Sequence, residues 1–184
     1  GQVGQDQVGE ILALASGAGI NTLDTAVAYG DSEAVLGAVG VSGWNVISKL
    51  PQIPGGTQDV TGWVMHCLEG SLKRLKISCL SGLLLHEPND LFGSKGVKLL
   101  SALRAVKNDR LVKKIGVSIY SPEQLEQLTR IAIFDIVQSP ANLLDRRLID
   151  SGWAGKLEEL GVEIHVRSPF LQGLLLMQKD QRPG

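Results

Sequence analysis

Apolar positions along this chain switch between two spacings. Val8, Ile11, Leu12 and Ala15 recur at the three-to-four-residue interval of a helix, ended by Gly17 and Gly19. The same interval returns in Val60, Val64, Cys67, Leu68, Leu72 and Leu75, and again in Trp153, Leu157 and Leu160 before Gly161. Ser121-Pro122-Glu123-Gln124 predicts a helix start, with serine as N-cap, proline in the first helical position and glutamine at the capping-box position. Between these stretches lie six short aliphatic runs: Asn21 to Asp24, Asn45 to Lys49, Gly82 to His86, Lys114 to Ser118, Phe134 to Gln138 and Val162 to Arg167. Strands that alternate with helices imply right-handed βαβ units, an α/β fold and a parallel sheet.

Two parallel architectures fit that order, an open doubly wound sheet and a (β/α)8 TIM barrel. The glycine clusters at Gly17-Ala18-Gly19, Gly37 to Gly43 and Gly55-Gly56 lack the Gly-x-Gly-x-x-Gly spacing of a dinucleotide-binding turn. No Gly-x-x-x-x-Gly-Lys loop occurs either. Polar residues close all six runs, which suits a barrel, whose active sites are assembled at the carboxyl ends of several strands. Side chains on a strand alternate between faces, so Lys49 shares a face with Ile47 and Asn45, and Arg167 with His165 and Glu163. Val162, Ile164 and Val166 then face the helices, and Arg167 points into the barrel mouth.

Composition narrows the function classes. The 184 residues are 43% hydrophobic and 20% charged, enough apolar mass for one core, and a single domain over residues 1–184 is expected. The net charge of −1 gives no electrostatic case for nucleic acid or an acidic membrane. No run spans a bilayer, and the polar start from Gln2 to Glu10 is unlike a signal peptide. Cys67 and Cys79 lack metal-ligand spacing, and are expected to be reduced, buried thiols of a cytoplasmic protein. His66 and His165 have no ligand partners in sequence, so no metal site is expected. Asp145-Arg146-Arg147 is expected to open a helix and pair locally.

The candidate chemistry lies at the strand ends, in Asp24, Lys49 and His86, with Tyr29 in the loop after the first run. Singly each has an ordinary structural explanation: a turn or cap carboxylate, a solvated lysine, a half-buried aromatic, a bonded histidine. In order, the segments Asn21-Thr22-Leu23-Asp24-Thr25-Ala26-Val27-Ala28-Tyr29-Gly30, Ile47-Ser48-Lys49, Leu84-Leu85-His86-Glu87-Pro88 and Ile115-Gly116-Val117-Ser118, with Gln138, resemble the aldo-keto reductases. The resemblance implies a (β/α)8 barrel that binds a nicotinamide dinucleotide, NADP(H) more often than NAD(H). It also implies an oxidoreductase that transfers hydride between that cofactor and a small aldehyde or ketone. Elementary chemistry agrees with the roles implied. A developing alkoxide needs a proton, and the phenol of Tyr29 can supply one. An ammonium at Lys49 favours the phenolate left behind. Asp24 would pair with Lys49, because a buried unpaired ammonium is costly. His86 would hydrogen-bond the substrate oxygen.

On the cofactor side, Ser118 and Gln138 match family positions that bind the nicotinamide carboxamide. Ile119 stands where many members carry an asparagine, so one amide contact is missing or replaced. Arg167-Ser168-Pro169-Phe170-Leu171 occupies the place of a tyrosine that stacks on the nicotinamide ring. Arg167 could stack there or meet the pyrophosphate. Ser168 and Leu171 are cofactor candidates by the same resemblance.

Length sets a further expectation. A (β/α)8 barrel takes about 250 residues. By order, the six runs correspond to the second to seventh strands of the family barrel, with the first strand and eighth βα unit absent. Open sheet edges then predict self-association, and a reduced adenosine site predicts weak cofactor binding. A non-catalytic nucleotide-binding or regulatory protein on the same fold is the alternative to an active reductase, and an inert truncated product is a third.

Overall fold

A computed structural model describes residues 3–178, 180 and 182. The elements run α1 (Gln5–Gly17), β1 (Thr22–Asp24), α2 (Ser32–Val39), β2 (Asn45–Leu50), α3 (Val60–Leu75), β3 (Gly82–Leu85), α4 (Gly96–Asn108), β4 (Ile115–Ser118), α5 (Glu123–Ile131), β5 (Ile136–Pro140), α6 (Arg147–Asp150), α7 (Trp153–Glu159) and β6 (Glu163–Arg167). Short 3-10 turns occupy Pro88–Phe92 and Leu174–Leu176. All six expected strands are present, and their hydrogen-bonded order is their chain order. β1 with β2, β2 with β3 and β5 with β6 are parallel. Parallel strands in sequential order, with helices between them, make an incomplete (β/α)8 barrel of six strands. The chain divides into two compact units, Gly1–Gly116 and Val117–Gly184.

In the first unit the core is built on β2 and β3. From Val46 to Leu50 and from Gly82 to Leu85 every residue is buried, as expected of strands covered on both faces. α3 shows how the sequence sets a helix. Asp59 caps it by accepting from Gly62 N at 2.9 Å, and Gly62 leaves room for that carboxylate. Val60, Val64, Leu68 and Leu75 form its buried stripe, and Lys76 ends it in the left-handed region at φ 55°. α2 and α3 meet at Gly37, where a Cβ would stand 2.0 Å from Arg74 O. α1 differs from the expected pattern. Of its stripe only Leu12 is buried, while Ile11 is 49% exposed.

In the second unit β5 pairs with β6 from Ile136↔Glu163 to Pro140↔Arg167. Ser139 and Pro140 therefore extend β5 past the expected end at Gln138. The outward face of β6 is only partly covered: Val162 is buried, but Val166 is 51% exposed, contrary to the expectation that it packs under a helix. At the start of α5 the Ser121 side chain does not cap. Gln124 Oε1 instead accepts from Tyr120 N at 2.9 Å and Ser121 N at 3.3 Å, which is the returning half of a capping box. No helix among the described residues is long and apolar enough to cross a membrane.

Candidate active site

The backbone of the first unit brings the three strand-end residues and Tyr29 together. Asp24 closes β1 in register with Ile47, and Lys49 follows on the same face of β2. β2 continues against β3 through Lys49↔Leu84 and Leu50↔Leu85, and His86 N then donates to Leu50 O at 3.0 Å. The loop after β1 keeps following β2, because Thr25 N donates to Ile47 O (2.9 Å) and Val27 N to Lys49 O (3.2 Å). It then turns back through Tyr29 N to Ala26 O at 3.0 Å and Gly30 at φ 56°. Tyr29 is thereby returned over the end of β2.

Lys49 has no exposed surface. Its Nζ donates to Asp24 Oδ2 at 2.6 Å, Thr25 O at 3.0 Å and Tyr29 Oη at 3.4 Å. An ammonium has three N–H groups, so each has an acceptor. Nζ also lies 4.9 Å from the Tyr29 ring centroid, within cation–π range. Asp24 keeps its side chain 41% exposed, so the charge pair is buried on the cation side and solvated on the carboxylate side. Tyr29 is 44% exposed, and its ring meets His86 edge to face, with centroids 5.7 Å apart and planes at 82°. The Tyr29 oxygen thus lies beside a buried cation while much of the side chain stays open to solvent.

Of the second-unit candidates, Ser118 and Gln138 are buried, and Ser118 Oγ donates to Gln138 Oε1 at 3.2 Å. Ile119, also buried, donates its N–H to Gln138 O at 2.8 Å. Arg167 Nη2 donates to Ile119 O at 3.1 Å, and its guanidinium carbon lies 4.7 Å over the Tyr120 ring. Its Nε is buried and has no acceptor among the described residues. Ser168 and Leu171 both take left-handed backbone, at φ 58° and 47°, and close a turn through Leu171 N to Ser168 O at 3.2 Å. The Tyr120 platform was missed from sequence, since it lies 47 residues from Arg167 and no local pattern links them.

Arg147 donates to both carboxylate oxygens of Asp145 at 2.8 Å. That pairing holds the Asp145 carboxyl below its usual range and raises the Arg147 guanidinium. Cys67 and Cys79 are free, and half-buried rather than buried; burial still pushes the Cys67 thiol up. Among the described residues no three His, Cys, Asp or Glu side chains group as metal ligands.

Comparison with known proteins follows the same lines. The whole chain, residues 1–184, matches the model of the Aldo/keto reductase family. It is 30% identical over 174 residues to an aldo-keto reductase of Mycobacterium sp. (strain KMS), covering 90% of this chain and 59% of that protein. An aldo-keto reductase of Bacillus subtilis (strain 168) is 27% identical over 157 residues, with 77% of this chain and 46% of that protein covered. Among solved structures, the holo form of a Bacillus halodurans aldo-keto reductase matches with a TM-score of 0.80 at 21% identity, over 100% of this chain and 62% of that one. A Klebsiella pneumoniae aldo-keto reductase in complex with NADPH matches at 0.74 and 21%, over 95% and 61%. These two structural matches speak to fold. The chain thus spans between 46% and 59% of the length of the first two relatives.

Proposed function

The chain belongs to the aldo/keto reductase family, and from that premise we propose that it is built to reduce the carbonyl of a small aldehyde or ketone. The observation that carries the proposal is the buried Lys49 ammonium, bonded at once to Asp24 and to the half-exposed Tyr29 phenol. When bound, a nicotinamide cofactor supplies the hydride. Tyr29 Oη gives a proton to the oxygen of the reduced carbonyl. Lys49 stabilises the phenolate, and Asp24 holds Lys49 at the strand end. His86, against the Tyr29 ring, orients the carbonyl oxygen.

The second unit contains groups that fit a nicotinamide dinucleotide. Ser118 and Gln138 offer a hydroxyl and an amide of the kind that binds a carboxamide. Arg167 carries a buried N–H with no acceptor among the described residues, which suits an anionic group such as a pyrophosphate. Ser168 and Leu171 join them on the family resemblance alone. The Klebsiella pneumoniae structure is a complex with NADPH, and NADPH is proposed for this chain ahead of NADH. The free cysteines fit a cytoplasmic location.

Tyr29→Phe tests the reading. Turnover of a generic aldehyde should fall by on the order of a hundredfold or more, while NADPH binding by calorimetry stays unchanged. Cofactor binding with no turnover in the parent chain would instead make it a nucleotide-binding protein. Retained turnover in Tyr29→Phe would remove Tyr29 as the proton donor.

A further inference from the structure

The helix side of β2 carries a second polar cluster, directly behind the site. Glu33, at the start of α2, is almost completely buried. Its Oε1 accepts from Ser48 Oγ at 2.6 Å, and its Oε2 accepts from Arg74 Nε at 2.8 Å and Nη2 at 2.6 Å. A buried carboxylate is tolerated when paired and fully bonded, and this one is. Ser48 immediately precedes Lys49, and by strand alternation its side chain leaves the opposite face. Ser32, immediately before Glu33, bonds Thr25 Oγ1 through its hydroxyl at 3.0 Å, and its N–H donates to Tyr29 O at 3.1 Å. Thr25 O in turn accepts from Lys49 Nζ at 3.0 Å.

These contacts form a closed ring. It runs from Lys49 to Thr25, across to Ser32, along the chain to Glu33, across to Ser48 and along the chain back to Lys49. The Tyr29 backbone hangs from the same ring through Ser32. We propose that Glu33 is a positioning residue: by tying α2 to Ser48 and to Arg74 of α3, it sets the separation of Tyr29 Oη and Lys49 Nζ. Glu33 touches neither the phenol nor the ammonium, and acts through Ser48 on one side and Ser32 on the other. This rests on the assignment of Tyr29 as proton donor, but the ring itself is a matter of geometry.

The test separates positioning from stability and from activity. The chain has two tyrosines, Tyr29 and Tyr120, so Tyr120→Phe leaves Tyr29 as the single tyrosine signal in the NMR spectrum of protein labelled with 13C at tyrosine Cζ. In that background, Glu33→Gln and Ser48→Ala should each move the Tyr29 resonance. Leu103→Ala, a fully buried position on α4, should lower the melting temperature and leave the resonance in place. Where the parent turns over a carbonyl substrate, kcat of Glu33→Gln should fall roughly ten- to a hundredfold with KM little changed, the signature of misplaced reacting groups. A Tyr29 resonance unmoved in both variants overturns the proposal, as does an equal shift in Leu103→Ala. If Glu33→Gln does not fold, Ser48→Ala decides alone, since it keeps the Arg74 pair. A parent without turnover refutes the proposed function, yet the NMR comparison still decides the positioning role.

Discussion

Replacing Lys49 by methionine isolates the charge at the centre of the site. Methionine keeps the length and apolar stem of the side chain and removes the ammonium. The Coulomb energy between a phenolate and a cation 3.4 Å apart is about 5 kcal/mol at an effective dielectric constant of 20, and about 1.2 kcal/mol in bulk water. Tyr29 is half exposed, so the true value lies between those limits. At about 1.4 kcal/mol per decade, turnover should fall by between roughly tenfold and roughly three thousandfold. Stability should respond much less. Asp24 can hydrate its freed oxygen, so the main loss is the donor to Thr25 O, at about 1–3 kcal/mol, partly offset by a buried methionine. For a chain of this size that is a melting shift below about 10 °C. Steady-state kinetics with an aldehyde and NADPH, beside thermal unfolding by circular dichroism, measure both quantities. A folded Lys49→Met protein that keeps more than about half the parent kcat would refute the electrostatic role.

Other perturbations reach other parts of the structure. Gly37→Ala should cost roughly 2–3 kcal/mol in urea unfolding, because its methyl would stand 2.0 Å from Arg74 O and a backbone must yield; a loss below about 0.5 kcal/mol would contradict the close approach of α2 and α3. The Asp145 carboxyl is held below its usual 3.8 by Arg147, so its stabilising contribution is present above that value and fades as pH falls through the lowered one. The melting-temperature gap between parent and Asp145→Asn should therefore be open near about pH 6 and close toward about pH 2; a gap that widens in acid would reverse the sign. Burial raises the Cys67 thiol, so iodoacetamide should modify it at neutral pH more slowly than a free cysteine, read by mass spectrometry; an equal rate would show that the thiol is open.

Much of this was legible in the sequence, because local periodicity is a local signal. The run from Asn45 to Lys49 reads as a strand whichever fold holds it, and the structure adds only Leu50. Asp24, Tyr29, Lys49 and His86 could be grouped because each lies at or just after a strand end. What stayed hidden depends on pairs far apart in the chain. Glu33 and Arg74 are 41 residues apart, and neither breaks the pattern of its helix. One clue was available: Ser48 places a hydroxyl on the helix side of a buried strand, where an aliphatic residue would be routine. Val166 and Ile11 failed in the other direction. Periodicity tells which face of an element is apolar, not whether anything covers it, and both are about half exposed. β5 runs past Gln138 because Ser139 and Pro140 pair with Val166 and Arg167, a partner that the local pattern does not reveal.

The three bonds of Lys49 have a consequence for selectivity. With its N–H groups given to Asp24, Thr25 and Tyr29, the ammonium has no proton left with which to read a substrate. On the proposed reading its influence is confined to stabilising the phenolate left on Tyr29, whatever molecule receives the proton. Discrimination between one carbonyl compound and another then falls, on the proposed reading, to the groups around that ammonium, among them the exposed Tyr29 and the half-buried His86. On that reading the buried half of the site governs how readily the reaction runs, and the exposed half governs on what. Changes of specificity should therefore be accessible by substitution without disturbing the buried cation.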